Sequence, residues 1–395
     1  MKKLRLRSAQ HAADRRPVLL YGVTTSISAD TLLRGQLEHM VERGYDVHLA
    51  TNMVSSQQSR PGIVEHHIPM SRDVRLASDL VALVEWIRLL KKIKPNIVNV
   101  STPKASLLGL VAAFITGVPT RVYLVRGLRY EGATPRLRLL LTSFERLNCI
   151  LATNIIAVGF GVAYGLKQVT KSNKIIVLGS GSSNGVDVDQ IDNTLCETDA
   201  DSLRGKLGLL RGVPTVMFVG RPDPDKGFDT LKMALDRMVD VLSVPSMQLL
   251  CVGHHVPSWR EEVLVSSTGW VEDVTPYYSV ADLLCLPTYR EGYPNVVLEA
   301  NVAGLAVVTT SATGADESVD HGKTGLKVDP GEVTELSHAL FTLITDTALR
   351  NSLAANGRHR AATHFTRTRI WDALAELYSS PDTNPVDSNE IGDKM

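Results

Sequence analysis

Two carboxylates, Glu291 and Glu299, bracket the run Glu291-Gly292-Tyr293-Pro294-Asn295-Val296-Val297-Leu298-Glu299-Ala300. The apolar segment Leu283 to Leu286 reads as a strand, a Pro-containing turn follows, and a helix is expected to open at about Pro294. A helix N-terminus offers unpaired N–H groups and the positive end of a dipole, both suited to anionic or oxygen-rich ligands. Strand-to-helix junctions are also where open parallel sheets bind nucleotides. There Glu299, in the first turns of the helix, can accept two hydrogen bonds from a ribose. Glu291, at the strand end, can meet sugar hydroxyls together with the N–H groups after Gly292. Each has a plain structural alternative: Glu299 complementing the helix dipole, and Glu291 pairing with Arg290.

A second group lies in Val219-Gly220-Arg221-Pro222-Asp223-Pro224-Asp225-Lys226-Gly227-Phe228, between a strand and a helix. Arg221 and Lys226 would project from one strand-end loop. Arg can clamp two phosphate oxygens in a fork, while Lys supplies a compact point charge. A diphosphate leaving group needs both, because its charge must be positioned and neutralised as it develops. The alternative is a solvated loop whose Asp225 and Lys226 are surface charges. His254, His255 and His321 read as loop or surface residues, and no Ser/His/Asp arrangement or P-loop is present.

The elements that must hold these residues alternate along most of the chain. Strands are expected near Pro17–Val23, Val47–Thr51, Ile97–Thr102, Arg121–Val125, Ile155–Val158 and Ile175–Leu178, with helical stretches such as Asp79–Lys92 between them. After the turn-rich run Gly179 to Gly185 and the acidic connection Asp187 to Asp201, alternation restarts. Strands are then expected near Thr215–Val219, Gln248–Val252, Leu283–Leu286 and Ala306–Thr310, with helices at Phe228–Val241, Asn295–Ala303 and Leu336–Phe365. This is the βαβ signature of α/β, doubly wound parallel sheets. Residues 1–188 form an expected first domain and 205–365 a second. Residues 366–380 make a further helix that can pack back on the first domain, and 381–395 a disordered tail. A ligand belongs in the cleft between two such domains.

Composition narrows the class. With 395 residues, two domains are expected. No apolar run approaches the roughly 20 residues of a membrane span, and Ala105 to Val118 reads as a buried helix. The basic run Met1 to Arg16 lacks the following apolar region of a signal peptide. Cys149, Cys196, Cys251 and Cys285 lie far apart, as reduced thiols of a cytoplasmic protein, and no metal site is expected. Residues 1–150 hold 22 Lys and Arg against 11 Asp and Glu, the remainder 20 against 31, so the halves carry opposite charge. The basic half can face its partner half or an anionic surface; no Arg-rich helix or aromatic–basic sheet points to nucleic acid.

Taken together, Gly220-Arg221, Asp225-Lys226-Gly227, Glu291-Gly292-Tyr293-Pro294-Asn295, Glu299-Ala300, Gly304 and Gly322-Lys323-Thr324-Gly325 resemble, in order, the motifs of retaining glycosyltransferases of family 4, which have the GT-B fold. The match covers essentially the whole second domain. Gly179 to Asp187 and Val125-Arg126-Gly127-Leu128-Arg129-Tyr130-Glu131 also resemble the capsular and exopolysaccharide branch. The resemblance implies two Rossmann-like domains facing across a cleft, residues 1–188 binding the acceptor and 205–365 the nucleotide sugar. It also implies metal-independent transfer of a sugar from a nucleotide donor, UDP-hexose or UDP-N-acetylhexosamine, with retention and no cofactor. Carried to this chain, Arg221 and Lys226 hold the diphosphate, Glu299 the ribose and Glu291 donor-sugar hydroxyls. Gly292, Tyr293, Pro294, Asn295 and Val296 contribute to the donor site, chiefly through backbone groups. The leaving phosphate helps deprotonate the acceptor on one face, without the paired carboxylates of a retaining glycosidase.

Two positions depart from the family pattern. A Gly-Gly phosphate loop after the first strand is replaced by Gly22-Val23-Thr24-Thr25-Ser26-Ile27-Ser28. Where many members place a His near the donor sugar, this chain has Arg126, expected to meet that sugar or an acceptor phosphate, or else to be a basic surface residue. The basic, amphipathic stretches Trp86–Lys92 and Arg136–Arg146 suit weak association with an anionic inner membrane face and a polyprenyl-diphosphate-linked saccharide acceptor; ordinary core helices with a solvated basic side are the alternative. A sugar-nucleotide epimerase of the same fold, or a non-catalytic nucleotide-sugar-binding protein, are the competing functions.

Overall fold

The computed structural model describes residues 16–53, 60–71, 73, 75–221, 223–244 and 246–380. The expected disordered tail, most of the basic N-terminal run, and Pro222 lie outside them. Two parallel sheets form. The first contains β1 (Val18–Gly22), β2 (Asp46–Thr51), β3 (Ile63–His67), β4 (Ile97–Val100), β5 (Thr120–Val125), β6 (Asn154–Ala157) and β7 (Ile175–Val177), in spatial order β3-β2-β1-β4-β5-β6-β7. The second contains β8 (Thr215–Val219), β9 (Met247–Val252), β10 (Val263–Ser267), β11 (Leu283–Leu286), β12 (Ala306–Thr310) and β13 (Leu326–Val328), in order β10-β9-β8-β11-β12-β13.

Both orders reverse direction beside their first strand, between β1 and β4 and between β8 and β11. At such a switch point neighbouring crossovers leave on opposite faces, opening a crevice at the carboxyl ends of the strands. The central strands are buried throughout, as parallel strands covered on both faces must be. The expected doubly wound α/β architecture is therefore present in both halves.

Several local expectations need correction. β3 and β10 are not continuous apolar runs, because polar residues interrupt them: His66 and His67 in one, Ser266 and Ser267 in the other. The acidic connection after Gly185 is helical, Val188–Glu197 and Ala200–Leu207, because Asp187 and Asp199 each cap a helix by accepting from the N–H three residues on. The stretch Leu336–Phe365 is two helices, Val333–Thr345 and Thr347–His364, divided at Asp346, whose carboxylate accepts from Leu349 N at 2.8 Å.

The helix Arg367–Ser379 returns to the first sheet. Ile370, Trp371, Leu374 and Tyr378 join the core that contains Leu19, Leu20 and Tyr21. Trp371 Nε1 donates to Asn184 Oδ1 at 2.7 Å, and Tyr378 O–H donates to the Tyr21 hydroxyl at 3.2 Å. The chain thus crosses from the second half back to the first, and its last helix ties the two together.

Candidate functional site

Arg221, Asp225 and Lys226 leave the carboxyl end of β8; Arg290 and Glu291 leave that of β11. The two loops are stitched side by side: Tyr289 N and the Thr288 hydroxyl both donate to the Asp225 carbonyl at 2.8 Å. Gly227, at φ 69°, makes this possible, since a Cβ there would overlap the Pro287 carbonyl. As a result Lys226 Nζ pairs with Glu291 Oε1, and Arg290 pairs with Asp225. The pairing of Glu291 with Arg290 considered from sequence is not formed. The Arg221 side chain is 71 % exposed and, among the described ion pairs, touches only Asp223, at 2.9 Å.

From the other half, Arg126 follows β5 directly. Its Nη1 donates to the Ser183 carbonyl at 3.2 Å and to the Ser183 hydroxyl, and Nη2 donates to the Leu32 carbonyl at 3.2 Å. Nε has no hydrogen-bond partner. Burial lowers the pKa of the guanidinium to about 10, opposed by the nearby Tyr21 and Tyr378 phenols. So Arg126 is not a basic surface residue; it is anchored into its own half and presents one edge to the cleft. In the Gly22–Ser28 loop Thr25 caps its own helix, accepting from Ser28 N at 3.2 Å, and none of these residues lines the cavity that Arg126 does.

Arg126, Arg221, Lys226, Glu291 and Gly292 line one cavity of about 320 Å³ between the halves. Arg129, Arg290, Glu145, Asp223 and Asp225 line it too, so cations and carboxylates of both halves converge there. Glu299 lies elsewhere. It opens, with Asn295, Val296, Arg34 and Arg367, onto a second cavity of about 250 Å³. Tyr278 O–H donates to Glu299 Oε2 at 3.0 Å, and burial raises the carboxyl pKa despite that bond and the Arg367 and Arg34 charges. Asn295 Oδ1 is buried there without a partner. Tyr293 is buried, packs on Phe365 and donates to the Glu317 carbonyl at 3.3 Å, so it faces the core instead of either cavity; Pro294 is buried too.

Residues that spacing could not reveal complete the arrangement. Glu317 of the second half accepts from Phe160 N at 2.6 Å and Gly161 N at 3.0 Å, filling the N-terminus of the first-half helix Phe160–Val169. Thr313 donates to Glu131 Oε1 across the same boundary at 3.3 Å. His254, expected in a loop or at the surface, lies in the loop after β9 but is buried edge-on between Phe218 and Phe228 and bonds the Gly220 carbonyl at 2.9 Å. Among the described residues no cluster of three or more His, Cys, Asp or Glu could hold a metal ion.

The chain matches two family models, glycosyl transferases group 1 over residues 213–346 and glycosyl transferase 4-like over residues 28–158. It is 33 % identical to the capsular polysaccharide biosynthesis glycosyltransferase CapM of Staphylococcus aureus, over 91 % of this chain and 97 % of that one. It is 24 % identical to a UDP-Gal:alpha-D-GlcNAc-diphosphoundecaprenol alpha-1,3-galactosyltransferase of Escherichia coli, over 75 % and 78 % of the two chains. Among solved structures, Anabaena Alr3699/HepE in complex with UDP-glucose superposes with a TM-score of 0.73 at 20 % identity, covering 92 % of this chain and 99 % of that one.

Proposed function

Because this chain belongs to the family 4 glycosyltransferases of the GT-B fold, we propose that it moves a sugar from a UDP-hexose or UDP-N-acetylhexosamine to a lipid-diphosphate-linked saccharide in surface-polysaccharide assembly. The observation that carries the reading is the single cavity in which Arg126 of one half meets Arg221, Lys226 and Glu291 of the other. Arg221, exposed at the mouth, and Lys226 neutralise the diphosphate as its bond to the sugar breaks. Glu291 orients donor-sugar hydroxyls, and Glu299 with Asn295 takes the ribose in the adjoining cavity. Retention follows if the departing phosphate, held by these cations, accepts the proton of the attacking hydroxyl on the same face. No cofactor or metal enters this scheme.

The capsular relative and the E. coli enzyme whose name specifies a diphosphoundecaprenol acceptor support the choice of acceptor. The helix Pro135–Leu151 supports it as well. It exposes Leu137, Leu139, Leu140 and Ile150 beside Arg136, Arg138 and Arg146, a mixed surface suited to lying on an anionic bilayer. The stretch Trp86–Lys92 does so less, since Trp86, Leu89 and Leu90 pack into the core. No helix of the described residues is long and apolar enough to cross a membrane.

The test is nucleotide release from a panel of nucleotide sugars, with and without α-D-GlcNAc-diphospholipid and related lipid-linked saccharides. Release that rises with an acceptor is the expected result. Donor turnover that ignores every acceptor would favour the epimerase instead.

A further inference from the structure

The cavity that holds Lys226 and Glu291 continues into the first half, where its walls change character. Ser106 comes from the helix Pro103–Ile115, Tyr123 from β5 and Glu145 from the helix Pro135–Leu151, and all three line it. Tyr123 O–H donates to Glu145 Oε2 at 2.5 Å. Among the described residues no cation pairs with that carboxyl, and burial raises its pKa. The Ser106 side chain is 0 % exposed and its Oγ has no hydrogen-bond partner. Buried polar groups are normally satisfied, because leaving one unpaired forfeits its hydration for nothing. One wall of a cavity that already collects the charged residues thus holds both an unpaired hydroxyl and a carboxyl group braced by Tyr123.

We propose that Glu145 and Ser106 form the subsite for the acceptor's sugar ring, which deepens the glycosyltransferase reading and rests on it. A ring with adjacent hydroxyls matches this wall. One hydroxyl donates to Glu145, its neighbour bonds Ser106 Oγ, and Tyr123 holds the carboxyl in place. A phosphate is repelled by the same carboxylate, so the acceptor enters sugar first. Its diphosphate stays outward by Arg129, an exposed residue that lines the same cavity. The acceptor hydroxyl nearest Glu291 and Lys226 is then the one glycosylated, and Glu145 acts as a specificity determinant for the sugar that bears it.

The probes are methyl α-glycosides of glucose, galactose and N-acetylglucosamine, studied by saturation-transfer NMR with UDP present. At least one glycoside is expected to bind the unaltered protein in the millimolar range. Glu145→Gln, which keeps shape, is expected to weaken it about tenfold or more, as for a lost hydrogen bond to a charged group, and Ser106→Ala by about threefold to tenfold. UDP affinity should stay unchanged in both. No glycoside bound at about 100 mM, or a Glu145→Gln protein that binds as well as the parent, overturns the subsite. Failure of UDP itself to bind would strike the donor reading, and the glycoside result would still judge this wall.

Discussion

The carbonyl of Arg126 lies so close against Gly292 that a Cβ on Gly292 would overlap it. One residue follows the last atom of β5 in the first sheet, the other follows β11 in the second, and their backbones touch at the wall of the shared cavity. The halves meet at a glycine because nothing larger fits, and Arg126 and Glu291 thereby line the same cavity.

Gly292→Ala should wedge that contact open. An overfilled contact costs about 1–3 kcal/mol, so UDP affinity is expected to fall about tenfold or more. Calorimetric titration with UDP and a solution-scattering profile showing a more extended particle would register it. Affinity and scattering both like the parent's would show that the contact does not hold the cleft.

Lys226 and Glu291 neutralise each other before any donor arrives. Removing either leaves a half-buried charge unpaired as well as removing a donor contact. Lys226→Ala and Glu291→Ala should each reduce nucleotide release about a hundredfold or more, with circular dichroism unchanged. Normal release from either variant would break the site assignment.

Arg126 is braced by carbonyls of Leu32 and Ser183. Arg126→Lys retains charge but not the forked geometry, so it should rescue little of the turnover lost in Arg126→Ala. Full activity in Arg126→Ala would place this residue outside the reaction.

Burial raises the Glu299 carboxyl above the 4.5 of an exposed Glu. The folded protein therefore binds this proton more tightly than the unfolded chain. Its contribution to stability is fully present below pH 4.5 and lost as pH rises through the folded value. Glu299→Gln stays neutral, so the variant should gain stability relative to the parent as pH rises above 4.5. Urea unfolding on either side of that pH compares them, and parallel curves would refute the shift.

The exposed apolar and basic residues of Pro135–Leu151 predict weak binding to phosphatidylglycerol vesicles that weakens further with salt. Leu139→Glu with Ile150→Glu should abolish sedimentation with the vesicles. Binding indifferent to salt would contradict an electrostatic contribution.

Much of the fold could be read in one dimension. Buried parallel strands are continuous apolar runs, so β1, β4, β8, β9, β11 and β12 stand out, whereas the edge strands β3 and β10 carry polar residues and do not. The motif residues Arg221, Lys226, Glu291 and Glu299 were visible because each sits within a few positions of a strand end or a helix start, where backbone geometry is local.

What sequence alone determined is therefore the class of chain: two doubly wound halves, a family 4 glycosyltransferase, and the segments that carry its motifs. Partners separated by long stretches of chain were decided only by the fold. Lys226 takes Glu291 because the loops after β8 and β11 are stitched together. Glu299 takes Tyr278 and a cavity of its own. Glu317 reaches the helix at Phe160, more than a hundred and fifty residues away, and Arg126 stops against Gly292. Hydrogen bonds and ion pairs act over about 3 Å, and only packing of the two sheets brings such residues within that distance.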